Sequence, residues 1–201
     1  MARCRFLSVE RKLQRGDKLR EAYIQFMDEY MEMGHMEKID ESESHSRVCY
    51  LPYHPVIKTS SSTTKVRVVF DASAKGSNGK SLNDILMRGP VVQGDIFTIL
   101  CRFRKHSYVI SADAEKMYRQ VAIANEDCDM QRILWRSTPS QQLESYRLLT
   151  VTYGTTPASF LATQCLVVLA DQYQTEFPDA FKAIKNDFYM DDLMTGGESK
   201  E

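Results

Sequence analysis

The stretch Phe188-Tyr189-Met190-Asp191-Asp192-Leu193 constrains this chain more than any other. Phe188 to Met190 reads as a short strand running inward. Two adjacent carboxylates cannot follow it into a core without a counter-charge. The chain must therefore turn sharply at Asp191-Asp192, where the pair stays within reach of ions. Like charges side by side are relieved by a bound divalent cation, which prefers oxygen ligands. A polar hairpin tip is the plainer alternative, since Asp is a common turn residue.

The remaining composition sets bounds. With 201 residues, 43% hydrophobic and 26% charged, the chain can bury a core as one large domain or two small ones. No apolar run reaches membrane-spanning length and no signal-peptide pattern opens the chain, so no membrane partner is expected. Cys4, Cys49, Cys101, Cys128 and Cys165 are scattered, without metal-ligand spacing, and read as free thiols in a reducing compartment. Net charge is −1, but its distribution is uneven. From Lys58 to Lys105 there are nine Lys or Arg against three Asp, whereas Asp171 to Asp192 is acidic. A site that handles phosphates through metal ions needs both kinds of region.

Read in order, residues 17 to 33 predict an amphipathic helix. Leu19, Tyr23, Phe26, Tyr30 and Met33 share one face, with Asp17 as N-cap and Gly34 just past the end. Glu37 to Ser46 reads as a loop, and Tyr50 to Ile57, with two prolines, as an irregular extended segment. Thr59 to Thr64 is a hydroxyl-rich tip feeding a strand, Lys65 to Asp71, that carries Lys65 and Arg67 off one face as a candidate phosphate clamp. Ser81-x-x-Asp84 resembles a capping box opening a short helix that Gly89-Pro90 ends. Asp95 to Lys105 predicts a helix with Ile96, Ile99, Leu100 and Phe103 inward. Tyr108 to Ala112 predicts a buried strand delivering Asp113, with a helical turn over Glu115 to Tyr118. Two further strands are expected at Gln131 to Arg136 and Tyr146 to Thr152, then helices from Ala158 and over Asp179 to Lys185.

Two carboxylate sites thus stand at strand ends, Asp113 and the Asp191-Asp192 pair, and strand ends in one sheet can be neighbours. Three carboxylates meeting there suit two Mg²⁺ ions roughly 3.5–4 Å apart, with Mn²⁺ as a substitute. That pattern alone does not separate a polymerase from a nuclease or a phosphatase.

The surrounding phrases resemble reverse transcriptases. Tyr189-Met190-Asp191-Asp192 looks like their Tyr-x-Asp-Asp motif. Asp113 with Tyr118 five residues later looks like the first palm motif, and Lys65 to Asp71 like the fingers strand that reaches the triphosphate. Arg67-Val68-Val69-Phe70-Asp71-Ala72-Ser73, Ser81-Leu82-Asn83-Asp84, Gly89-Pro90, Lys116 to Gln120 and Thr150 to Thr155 are similar to the Bel–Pao group of LTR retrotransposon polyproteins. The likeness runs from about Arg5 to Gly197.

The resemblance implies an α/β (α+β) right-hand polymerase fragment. A helical approach would span residues 1–48, a fingers-like region 49–107, and a palm-like region 108–201 cut before the thumb. It implies RNA- or DNA-templated DNA synthesis from a primer and dNTPs. The rest of the polyprotein (thumb, ribonuclease H, integrase) would be a partner, in a cytoplasmic retrotransposon particle or the nucleus. Asp113 and Asp191 would ligate both metals, with the Ala114 carbonyl as a further ligand and Asp192 in support. Tyr118 would exclude a 2′-hydroxyl, Arg67 and Lys65 would contact the triphosphate, and Tyr189 and Met190 would lie near the primer terminus. Related enzymes place a Gly five residues before the Pro of the second palm motif, whereas Gly154 and Pro157 are three apart here. Tyr153, Gly154 and Thr155 therefore remain alternatives for backing the nucleotide. The rival readings are a catalytically inactive, element-derived remnant that binds nucleic acid, and an unrelated two-metal nuclease.

Overall fold

The computed structural model describes residues 1–40, 47–57 and 66–199, a mixture of helices and small antiparallel sheets. In chain order the elements are α1 (Ala2–Leu13), α2 (Asp17–Glu32), β1 (Met36–Lys38), β2 (Tyr53–Ile57), β3 (Val66–Phe70), α3 (Ile96–Phe103) and β4 (Tyr108–Asp113). There follow α4 (Asn125–Cys128), β5 (Arg132–Trp135), β6 (Glu144–Leu148), α5 (Ala158–Gln172), α6 (Pro178–Asp187), β7 (Phe188–Tyr189) and β8 (Asp192–Gly197). Contacts divide the chain into two units, residues 1–87 with 122–156, and residues 88–121 with 157–201. Each unit is thus built from two separate stretches. The hydroxyl-rich tip, Lys65, and the polar residues 41–46 lie outside the described residues.

The first unit carries the aromatic core. α2 buries Tyr23, Met27 and Tyr30, a one-sided stripe at helical spacing. Met33, expected on that face, is exposed because the helix has already ended. The end is a Schellman motif: Gly34 N–H donates to the Met31 carbonyl and His35 N–H to that of Tyr30. Gly34 adopts φ +68, which explains the glycine. At the other end Gly16, not Asp17, is the N-cap, and Asp17 instead places its charge in the first turn.

The expected Tyr50–Ile57 irregular segment contains β2, which pairs antiparallel with β3 from Tyr53↔Phe70 to Ile57↔Val66. Glu37 and Lys38, expected as the start of a loop, belong to β1, Met36–Lys38, on the edge of a sheet ordered β1-β6-β5. Its pattern is too short to announce a strand in sequence; pairing with β6 makes it one. Phe6, Tyr23, Tyr53, Phe70, Trp135 and Leu148 close the core between α1, α2 and these sheets. α1 is tied down by a bidentate pair, in which Arg136 Nε and Nη2 donate to Glu10 at 2.7 and 2.8 Å.

The capping box forms, with Ser81 N–H donating to Asp84 Oδ2 at 2.8 Å and Asp84 N–H to Ser81 Oγ at 3.2 Å. No helix follows it; residues 82–86 make turns only, a correction to the expected short helix. The reason lies in Asn83, which is used as a latch. Its N–H donates to Ala72, its Nδ2 to Ser73 Oγ and to the Gly154 carbonyl, and its Oδ1 accepts from Thr156 N–H. Three of the sequence phrases are thereby bonded together. Asn83→Ala should cost about 2 kcal/mol in urea unfolding, because the Thr156 and Gly154 groups lose their partner. An unchanged midpoint would mean that water replaces the latch without loss.

In the second unit β4, β8 and β7 form an antiparallel sheet in the order β4-β8-β7. α3 begins at its N-cap Asp95, whose side chain accepts from Thr98 N–H, and buries only Ile99; Leu100 is exposed. α5 likewise buries small residues, Ala158, Ala162 and Ala170, while Leu169 is exposed.

β4 was expected to be buried and is not. All six of its residues are exposed, with Ile110 at 62%. It lies at the end of the sheet order, so its outer edge has no strand partner among the described residues. Tyr108 to Ala112 contains no Pro, Lys or other charge that would guard such an edge. Ile110→Lys should therefore reduce self-association in sedimentation velocity while leaving the circular dichroism spectrum unchanged. Equal self-association in the variant would remove the edge as its route.

No helix among the described residues is long and apolar enough to cross a membrane. All five cysteines are unpaired, as their scattered spacing predicts.

Candidate active site

The second unit brings the three aspartates to one end of its sheet. β4 and β8 pair from Tyr108↔Gly197 to Asp113↔Asp192, so Asp113 lies directly across from Asp192. Gly196 is required within this ladder, because a Cβ there would stand 2.2 Å from the Tyr108 carbonyl oxygen. One step further, Ala114 N–H donates to the Asp191 carbonyl at 2.8 Å. β7 and β8 are joined by a two-residue turn, Met190-Asp191, between the paired Tyr189 and Asp192. The sharp turn expected at the carboxylates is present, one residue earlier than an Asp-Asp turn.

Met190 adopts φ +56 in that turn, a left-handed conformation that costs a side-chain-bearing residue about 1 kcal/mol. Its backbone is held on both sides by one side chain. Met190 N–H donates to Gln93 Oε1 at 2.7 Å, and Gln93 Nε2 donates to the Met190 carbonyl at 3.2 Å. The amide of Gln93 thus acts as a short strand partner for the turn. Sequence reading missed Gln93; a lone Gln 97 positions before its partner carries no local signal.

The carboxylates of Asp113 and Asp192 are exposed and that of Asp191 is half-buried. None of the three makes a hydrogen bond or ion pair with its side chain among the described residues. Like charges directly opposite on neighbouring strands are destabilising, so a cation between Asp113 and Asp192 would stabilise the register. Hard oxygen donors of this kind suit Mg²⁺. As placed, however, no three acidic, imidazole or thiol groups among the described residues converge on a common metal position. The Ala114 carbonyl, expected as a ligand, accepts from Met117 N–H at 3.1 Å.

Tyr118 follows in a single 3₁₀ turn, Met117–Gln120, entered through Lys116 at φ +54. It is half-buried, and its hydroxyl lies 3.4 Å from Ser159 Oγ at the start of α5. Tyr189 is 38% exposed.

No protein-family model matches the chain, and no curated protein matches it either.

The remaining expected residues belong to the first unit. Arg67 sits on the exposed face of β3, opposite in alternation to buried Val68 and Phe70, as the strand pattern predicts. In the Tyr153-Gly154-Thr155 turn, Gly154 adopts φ +94, and a Cβ there would stand 2.8 Å from the Phe70 carbonyl oxygen. Tyr153 donates its hydroxyl proton to the Val68 carbonyl, and Thr155 donates to that of Thr152 at 2.7 Å. Two of the three candidates therefore have structural partners.

Proposed function

We propose that this chain is the fingers and partial palm of a reverse transcriptase of the Bel–Pao retrotransposon type. Its reaction would be templated DNA synthesis, in which a primer 3′-hydroxyl attacks the α-phosphorus of a dNTP and pyrophosphate leaves. The observation that carries this reading is the β4–β8 register: it sets Asp113 across from Asp192 and ties Ala114 to Asp191. Separate sequence motifs 78 residues apart thereby arrive at one sheet end.

Bound Mg²⁺ would supply charge neutralisation at the phosphoryl group and activation of the attacking hydroxyl. Asp113, Asp191 and Asp192 would hold it. The register sets Asp113 and Asp192 across from each other with Asp191 on the turn, and the three side chains would have to converge to share a metal. The protein's own contribution is mostly positioning. Gln93 holds the turn, Tyr189 and Met190 lie on either side of its first peptide, and Tyr118 stands on the segment leaving Asp113. In the same reading Arg67 and Lys65 are the triphosphate contacts. Template, primer, dNTP and the remaining polyprotein are the partners, in a cytoplasmic particle or the nucleus.

The direct test is Mg²⁺-dependent primer extension by this segment joined to a thumb. Incorporation that requires dNTPs supports the reading; strand hydrolysis without dNTPs would favour the two-metal nuclease. Nucleic-acid binding with neither reaction would favour an inactive remnant.

Sugar selection gives a second measurement. Tyr118→Val should raise ribonucleotide incorporation relative to deoxyribonucleotide by at least about tenfold, because the ring no longer meets a 2′-hydroxyl. Single-nucleotide kinetics decide it. Unchanged discrimination would leave Tyr118 as a packing residue against Ser159.

A further inference from the structure

A cavity in the first unit, lined by none of the three candidate metal-binding aspartates, has a different chemistry. It measures about 730 Å³, within the range of small-ligand sites. Arg3, Lys75 and Lys80 line it, and no Asp or Glu does among the described lining residues. Leu82, Met130 and Leu134 give it an apolar wall, and Tyr50 lines it as well.

Those three cations have no carboxylate partner in an ion pair among the described residues. Elsewhere Arg5, Lys38, Arg102, Arg136 and Lys185 are all in ion pairs. Arg3, Lys75 and Lys80 make no side-chain hydrogen bond or ion pair among the described residues. The Asp84 carboxyl is held below its usual range first by the Ser81 N–H and also by the charge of both lysines, with an ion pair to neither among the described residues.

The backbone that carries the two lysines is ordered by its own bonds. The lysines flank a closed turn in which Gly76 N–H donates to the Lys80 carbonyl at 2.8 Å and Gly79 N–H to that of Gly76 at 3.1 Å. Asn78 Oδ1 accepts from Lys80 N–H, and Gly79 takes φ +76 to close the loop. Ordering the turn between the lysines lowers the cost of binding an anion across it.

We infer that this cavity binds a nucleotide, its phosphate held by Arg3, Lys75 and Lys80 and its base against Tyr50 and the apolar wall. The phosphate calls for several unpaired cations, and a base calls for an aromatic or apolar surface that tolerates any sequence. The same chemistry is presented by a free mononucleotide and by one residue of a single strand. The site is independent of the polymerase reading.

The test is isothermal titration calorimetry of the full chain at low salt with 5′-deoxyadenylate, deoxyadenosine and an octameric oligothymidylate. Saturable binding of 5′-deoxyadenylate is expected, with deoxyadenosine roughly tenfold weaker or worse. Lys75→Gln/Lys80→Gln, which leaves the turn's backbone bonds intact, should weaken 5′-deoxyadenylate roughly tenfold. Asp113→Asn should leave it unchanged. Displacement of 5′-deoxyadenylate by the octamer would assign the site to a strand, and failure to displace it would assign it to a free nucleotide. The proposal is overturned if 5′-deoxyadenylate shows no saturation at millimolar concentration. It is equally overturned if the double variant, folded by circular dichroism, binds as the wild type does.

Discussion

Asp113→Asn, in a chain that joins this segment to a thumb, should lower Mg²⁺-dependent nucleotide incorporation by at least about 10³-fold while leaving the melting temperature nearly unchanged. The two halves of that expectation come from different observations. Asp113 ends β4, is exposed, and makes no side-chain bond to the protein among the described residues, so an isosteric amide removes no native contact. If anything, removing one of two like charges across the Asp113↔Asp192 pair relieves repulsion in the absence of metal. Stability should therefore hold or rise slightly. Activity should collapse, because a neutral amide cannot neutralise a cation where phosphoryl charge develops. Asp191→Asn should be comparably severe, and Asp192→Asn milder if Asp192 only supports the metal ligands. Full extension by Asp113→Asn or Asp191→Asn would sink the metal assignment, and a large drop in melting temperature would reassign the carboxylate to the fold.

Much of this arrangement could be read from residue pattern alone, where local chemistry was decisive. The α2 stripe, the alternation that exposes Arg67 and buries Val68 and Phe70, and the strand ending at Asp113 all follow from periodicity. The failures occurred where tertiary partners override local preference. Ser81-x-x-Asp84 formed its capping bonds yet opened no helix, because Asn83 is bonded outward to Ala72, Ser73 and Gly154. Met36–Lys38 became a strand only through β6. The run Tyr108-Val109-Ile110 looked buried because apolar strands usually are, but the side chains on both of its faces are exposed. At the site itself, the turn was legible in Asp191-Asp192, but its support was not. Gln93 reaches Met190 through space from a segment with no motif.

Phe70→Ala should destabilise the first unit by about 3–5 kcal/mol, the largest stability effect expected from a single truncation here. Phe70 is 2% exposed and ends β3 opposite Tyr53. Its ring meets three others: Tyr30 edge-on at 6.0 Å between centroids, Tyr53 at 5.8 Å and Tyr153 at 5.6 Å. Removing it forfeits burial and ring contacts, and it also leaves a cavity that the neighbours cannot readily fill. Tyr53 is fixed by its bond to the Leu134 carbonyl, Tyr153 by its bond to Val68, and Gly154 lies against the Phe70 carbonyl itself. Such a site cannot collapse without breaking those bonds, so the cost belongs near the top of the range. Phe70→Leu, which keeps most of the volume, should lose clearly less. Urea unfolding followed by the fluorescence of Trp135, the single tryptophan and itself in the same core, reads both variants. If Phe70→Ala shifted the midpoint no more than Phe70→Leu, the aromatic cluster would be a loosely packed surface rather than the centre of the unit.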